Sequence, residues 1–258
     1  MIGSSWLSSS LVCHANAFLN GLEDAPPTDL PGLEFVKRLT FRDVASDEVF
    51  ADSSTKWFEH LRSQRFDCAT VYFNVQKTDV NLLAFAGAMR VAVLTEGSGG
   101  RIAWYAKEEV LDLKDPDRKI WDVAFKGFDY REEPPGIVAT IDEGRLALKK
   151  SLQDLVAFCS EQSLENWGSN FQASLDKFDD PDPGFDWGSR VFPPKGYSDL
   201  AKALFFAASS SWVFGGMGSW NDMGFEGPIQ AEYESLSDQH YNAILMAIYA
   251  STAAFELN

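Results

Sequence analysis

The sequence predicts an α+β fold: a mostly antiparallel sheet from the N-terminal half packed with helices, and a C-terminal half that is mainly helical. Three observations carry that expectation. Ala69, Val71, Phe73 and Val75 alternate with Thr70, Tyr72 and Asn74, the period-two pattern of a half-buried strand. Gly97-Ser-Gly-Gly100 separates two apolar runs with residues that tolerate positive φ, which reads as a hairpin turn. Beyond residue 141 the apolar residues switch to helical spacing, with Leu148, Leu152, Leu155 and Cys159 on one stripe.

Taken along the chain, Trp6, Leu7, Leu11, Ala15, Phe18 and Leu22 place an opening helix, which Pro26, Pro27 and Pro31 end. Residues 33–42 read as a strand and 54–65 as a short helix with Trp57, Phe58 and Leu61 on one side. Strands follow at 69–76, 82–95 and 101–106. Residues 107–136 are charged and read as irregular, with a short helix at 117–125. A strand is expected at 137–141. Leu164, Trp167, Phe171, Leu175 and Phe178 mark a second helical stripe, and residues 198–214 a third helix, apolar nearly all round and therefore buried. Gly215 stands where a left-handed residue would end it. The last helix starts near Pro228, a favoured first-turn residue. Residues 1–136 thus form a strand-rich part and 137–258 a helical part, as two units or one continuous domain.

Apolar residues make up 45% of the 258, enough for a substantial core, and 20 Phe and eight Trp agree. The net charge is −16 and is shared unequally. Residues 1–135 carry 15 Lys/Arg and 21 Asp/Glu; residues 136–258 carry 7 and 17; after Lys202 there are six acids and no base. Such a chain repels phosphate backbones, which argues against nucleic acid as a partner. No apolar stretch reaches the roughly eighteen residues of a membrane span, so no membrane partner is expected. Cys13, Cys68 and Cys159 are scattered and odd in number, which predicts buried thiols in a reducing, cytoplasmic setting and no disulfide. The N-terminal stretch lacks a basic residue ahead of its apolar part, and serines interrupt it, so it does not match a signal peptide.

Candidate chemistry is sparse. The histidines are His14, His60 and His240, with no paired spacing for a metal, and no cofactor is expected. His60 is read as solvent-facing and His240, on the stripe of the last helix, as a hydrogen-bonded core residue. The acidic run Asp176–Asp186 lacks the ligand spacing of a calcium loop. The densest segment is 212–226, where Trp212, Gly215, Gly216, Gly218, Ser219, Trp220, Asn221, Asp222 and Glu226 fall together, with His240 as an outlying member. It lacks the P-loop lysine, and Met217 stands where a nucleophile elbow needs glycine, so Ser219 is not a supported nucleophile. The plainer reading makes this segment a tight loop that plugs aromatics into the core.

Two functions stay open at this stage, with a third reading behind them in which the acidity serves solubility and has no specific role. One is a non-catalytic acidic binding protein, such as an immunity-type antagonist of a basic protein partner. The other is an enzyme or small-ligand binder with its pocket at 212–226, using Asp222, Glu226 and His240 as acid–base groups.

Overall fold

The computed structural model describes residues 2–25, 28–30, 32–43, 45–75, 89–131, 136–179, 191–193, 195–215 and 218–256. The α+β expectation holds: the strands lie in the N-terminal half and helices dominate the C-terminal half. The sheet is built from β1 (Val36–Arg42), β2 (Val49–Ala51), β3 (Phe66–Val75), β4 (Met89–Gly97), β5 (Gly100–Val110) and β6 (Trp121–Asp129). The helices are α1 (Ile2–Leu19), α2 (Ser54–Ser63), α3 (Ile141–Glu161), α4 (Glu165–Asp176), α5 (Asp199–Ser210) and α6 (Pro228–Ala253).

Strand order is β2-β1-β6-β5-β4-β3. Every pairing is antiparallel except β1 with β6, so the sheet is mixed. The hairpin at 97–100 forms as the glycines foretell, with Gly97 opposite Gly100. Gly99 is needed there for a second reason. A Cβ on it would lie 1.9 Å from the Gln64 carbonyl oxygen, because the turn presses against the end of α2.

Three local expectations fail. The helix at 117–125 is instead the beginning of β6. Val123 and Phe125 point inward while Ala124 and Lys126 alternate with them, and pairing with strands on both sides outweighs any local helical preference. The strand at 137–141 is a connector leading into α3. Thr140 caps that helix, and its hydroxyl and the Glu143 carboxylate exchange hydrogen bonds with each other's backbone N–H. The third helix ends at Ser210, before Trp212, and its C-cap Ser211 has φ −89°, so Gly215 does not terminate it. The short strand β2 had no signal strong enough to read. Residues 82–88, Gly216 and the acidic run beyond Asp179 lie outside the described residues.

On the inner face of the sheet Phe41 stacks between Trp57 of α2 and Phe125, at 4.9 and 5.2 Å between ring centroids. Trp104 meets Trp57 edge-on at 6.0 Å. One buried cluster continues from these rings through α1 into α3, α5 and α6, so residues of both halves share it. The α3–α6 crossing is close because Gly144 faces Ala247 and Ala250; a Cβ at Gly144 would sit 3.1 Å from the Ala250 Cβ.

Helix α1 runs through the middle, and every side chain from Ser5 to Phe18 is buried. Its Asn16 pairs with the outer edge of β3 as another strand would. The Ala69 N–H donates to Asn16 Oδ1 at 2.7 Å, and Asn16 Nδ2 donates to the Ala69 carbonyl at 3.0 Å. Edge strands otherwise leave such groups unpaired. Asn16→Leu is therefore expected to lower stability by about 1–3 kcal/mol for each of the two orphaned backbone groups. Urea unfolding measures this; a variant as stable as the parent would mean that water or a neighbour takes over both bonds.

Candidate functional site

The aromatic, glycine-rich segment is assembled around Trp220, which is fully buried. Its indole Nε1–H donates to Ser237 Oγ at 2.7 Å. Ser237 Oγ–H donates to the Tyr233 carbonyl at 2.7 Å, and the Tyr233 hydroxyl donates to the Trp220 carbonyl at 2.6 Å. Tyr233 and Ser237 are one turn apart on α6, so the helix period itself closes this ring of bonds. Phe171, Trp167 and Tyr233 surround the indole at 5.1, 5.5 and 5.4 Å between centroids.

The polar residues beside it are used to shape the turn. Buried Asn221 accepts from the Gly215 N–H at 3.0 Å and from Ser219 Oγ at 2.8 Å. Asp222 is exposed and accepts from the Gly218 and Ser219 N–H groups at 2.6 and 3.2 Å. Positive φ falls at Gly218, 84°, while Gly215 keeps an ordinary conformation. Trp212 is only half-buried, and its Nε1–H donates to the Phe214 carbonyl at 2.7 Å.

His240 lies apart from the two carboxylates named with it. It is fully buried, whereas Asp222 and Glu226 are both exposed. Nε2 faces the Ser211 carbonyl at 3.0 Å and so carries the proton; Nδ1, 2.9 Å from Ser151 Oγ, then accepts from that hydroxyl. Phe171 and Phe214 pack on the ring. Burial pushes its pKa down to about 4, against a smaller upward pull from the Ser211 carbonyl. Ser151 and Ser211 left no trace in the sequence as partners, since they come from separate helices. His60 is half-buried rather than solvent-facing and lies against Phe50, 4.2 Å between ring centroids.

In the sheet half, carboxylates meet bases: Asp112 and Asp115 hold Lys37, Asp122 holds Arg38, Glu96 holds Arg101 and Asp47 holds Lys126. The Lys37 ammonium keeps the Asp115 carboxyl below its usual range, and Arg38 does the same for Asp122. In the helical half, Asp154 pairs with Lys150 and Asp199 with Lys202. Asp222, Glu226, Glu232 and Glu234 are exposed and have no ion pair among the described residues. An open groove of about 550 Å³ lies between α3 and α4 on the same half. Ser160, Ser163, Glu165, Ser169, Gln172 and Asp176 line it, and no base does.

The three cysteines are free, with Cys13 and Cys159 buried and Cys68 exposed. No cluster of three or more metal-ligating side chains occurs among the described residues. No described helix is long and apolar enough to cross a membrane. No family model, no curated protein and no solved structure matches this chain.

Two outcomes follow from the Trp220 and His240 environments. Trp220→Ala is expected to cost about 3–5 kcal/mol, as for other large buried aromatics, while Asp222→Asn leaves the melting temperature nearly unchanged because an acceptor oxygen remains. Thermal unfolding of both variants checks this; a stable Trp220→Ala protein would contradict the packing role. His240 binds its proton less readily folded than unfolded, where the ordinary value is about 6.5. Protonation therefore favours the unfolded chain. Its contribution is complete above about pH 6.5 and is lost as pH falls toward 4, at up to roughly 1.4 kcal/mol per pH unit. His240→Gln should flatten the stability-versus-pH curve in that window, measured by urea unfolding across it.

Proposed function

We propose that this chain is a non-catalytic binding protein whose helical half engages a basic protein, in the manner of an immunity-type antagonist. The observation that carries the reading is the uneven pairing of charge. Several bases of the sheet half are spent on its own carboxylates, whereas no Lys or Arg follows Lys202, and Asp222, Glu226, Glu232 and Glu234 are exposed with no ion pair among the described residues. Unpaired surface carboxylates repel one another and raise the free energy of the isolated protein, and a basic partner relieves that repulsion. They also steer a basic partner toward the correct face and reject acidic ones. The α3–α4 groove offers a concave place for a Lys or Arg side chain between Glu165 and Asp176.

The acid–base alternative has less support. Asp222 is engaged by the loop's own N–H groups, Glu226 is exposed, and His240 is neutral at physiological pH and fully buried.

The test is affinity capture from the native cell, with the immobilised chain washed at rising salt. The expected result is a basic protein that is released as salt increases, because screening shortens the reach of surface charge to about 8 Å at physiological ionic strength. The triple variant E226Q/E232Q/E234Q should bind it at least tenfold more weakly with an unchanged melting temperature. A partner that is acidic, or one held equally by the triple variant and at high salt, would overturn the proposal.

A further inference from the structure

Helix α6 fastens the loop that leaves α5 at three successive turns. The Tyr233 hydroxyl donates to the Trp220 carbonyl, Ser237 Oγ accepts the Trp220 indole N–H, and His240 Nε2–H donates to the Ser211 carbonyl. These positions are spaced i, i+4 and i+7, so one face of the helix presents all three. Between its fastened points the loop bonds to itself: the Trp220 N–H donates to the Val213 carbonyl and the Gly215 N–H to Asn221. A compact loop closed in this way can open as a unit while the core around it stays folded.

The three fasteners differ in how they answer to acid. Burial pushes the Tyr233 pKa up to about 12, so its hydroxyl keeps its proton, and the Ser237 hydroxyl does not titrate. His240 can take a further proton at Nδ1. Packed on its ring are Ser151 of α3, Phe171 of α4, and Ser211 and Phe214 of the loop. Tyr241 follows it on α6, with a pKa also pushed up to about 12 by burial. All of these are neutral, and no charged side chain among the described residues acts on the imidazole. An imidazolium there has no counter-charge, and a buried charge without one is strongly destabilising. The loop supplies one of the ring's two hydrogen-bond partners and one of its two phenylalanines. Lifting the loop brings water to the ring without separating α3 from α6.

We infer that His240 is a proton-operated latch, whose protonation frees residues 211–215 and 218–226 from α6 while the sheet and the other helices stay folded. Opening uncovers the rings that enclose Trp220, namely Phe158, Phe171 and Tyr233. The loop carries Asp222 and Glu226, so acid also displaces part of the proposed binding face. That consequence rests on the proposed function, whereas the latch itself needs no partner.

Hydrogen exchange of the full chain alone, read by mass spectrometry from pH 7 to pH 4 and corrected for intrinsic rates, tests the latch. An opened loop returns His240 from a pKa of about 4 toward its ordinary value, so opening should gain roughly a hundredfold across that range. Protection of 211–215 and 218–226 should fall by that order and lie well below that of the β4–β5 hairpin. His240→Gln keeps a donor for Ser211 and an acceptor for Ser151 but takes no proton, and it should lose most of the fall. Asp222 also titrates and holds the Gly218 and Ser219 N–H groups, so Asp222→Asn is the control and should keep the wild-type response. In the wild type, the midpoint of loop opening should coincide with imidazole protonation followed by NMR, a reading that needs no variant. Loop protection that tracks the hairpin at every pH overturns the inference. So does a response retained in His240→Gln or abolished in Asp222→Asn.

Discussion

Burying the helix from Ser5 to Phe18 in the middle of a small protein restricts everything packed around it, and α1 imposes that restriction here. It touches β3 and β4 on one side and α2 and α6 on others, and Trp6 meets Phe205 of α5 edge-on at 5.0 Å. A helix enclosed on all sides has no solvent face for polar side chains, so each one needs a partner inside. Ser9 and Ser10 return their hydroxyls to the carbonyls of Ser5 and Trp6, four residues back. Asn16 spends both ends of its amide on the backbone of Ala69, with Tyr197 at its margin. The Ser5 and Ser8 hydroxyls find no such partner among the described residues and stand as a cost of placing small side chains at close contacts. Helix α1 reaches both the sheet and the later helices, and residues of the two halves pack into one buried cluster.

The second organising feature is electrostatic. Charge excess in a sequence says little about where the charge is felt, since a carboxylate beside a guanidinium presents almost no field to a partner. The sheet half neutralises much of its own charge through cross-strand and turn contacts, such as Arg38 with Asp122 on the neighbouring strand. Helix α6 carries no Lys or Arg of its own, and Glu232 and Glu234 on it face solvent. The proposed binding face therefore rests on the absence of cations in one stretch of chain as much as on the presence of acids.

The loop from Trp212 to Glu226 shows how a segment rich in chemically suggestive residues can serve packing. Glycine permits the turn at Gly218, the amide of Asn221 and the carboxylate of Asp222 satisfy its N–H groups, and the indole of Trp220 locks it to α6. The amide of Asn221 and the carboxylate of Asp222 turn back on the loop's own backbone.

Much of the architecture was legible from residue order because period and punctuation are local properties. The alternation from Ala69 to Val75, the glycines at 97–100, the stripe from Leu148 to Cys159 and the proline at 228 each specify an element within a few residues. The Thr140 and Glu143 capping pair was equally readable, and it marks the start of α3 where a strand was expected. Other features depended on neighbours distant in sequence. Trp121 to Asp129 is a strand because β1 and β5 flank it, and Asn16 is an edge cap because Ala69 stands opposite it. His240 is neutral because Ser151, Ser211 and two phenylalanines enclose it. Composition alone set the size of the negative charge and its concentration after Lys202. Only the tertiary structure decided which carboxylates are neutralised and which remain bare, since pairing is a matter of a few ångströms across strands and turns that the order of residues does not record.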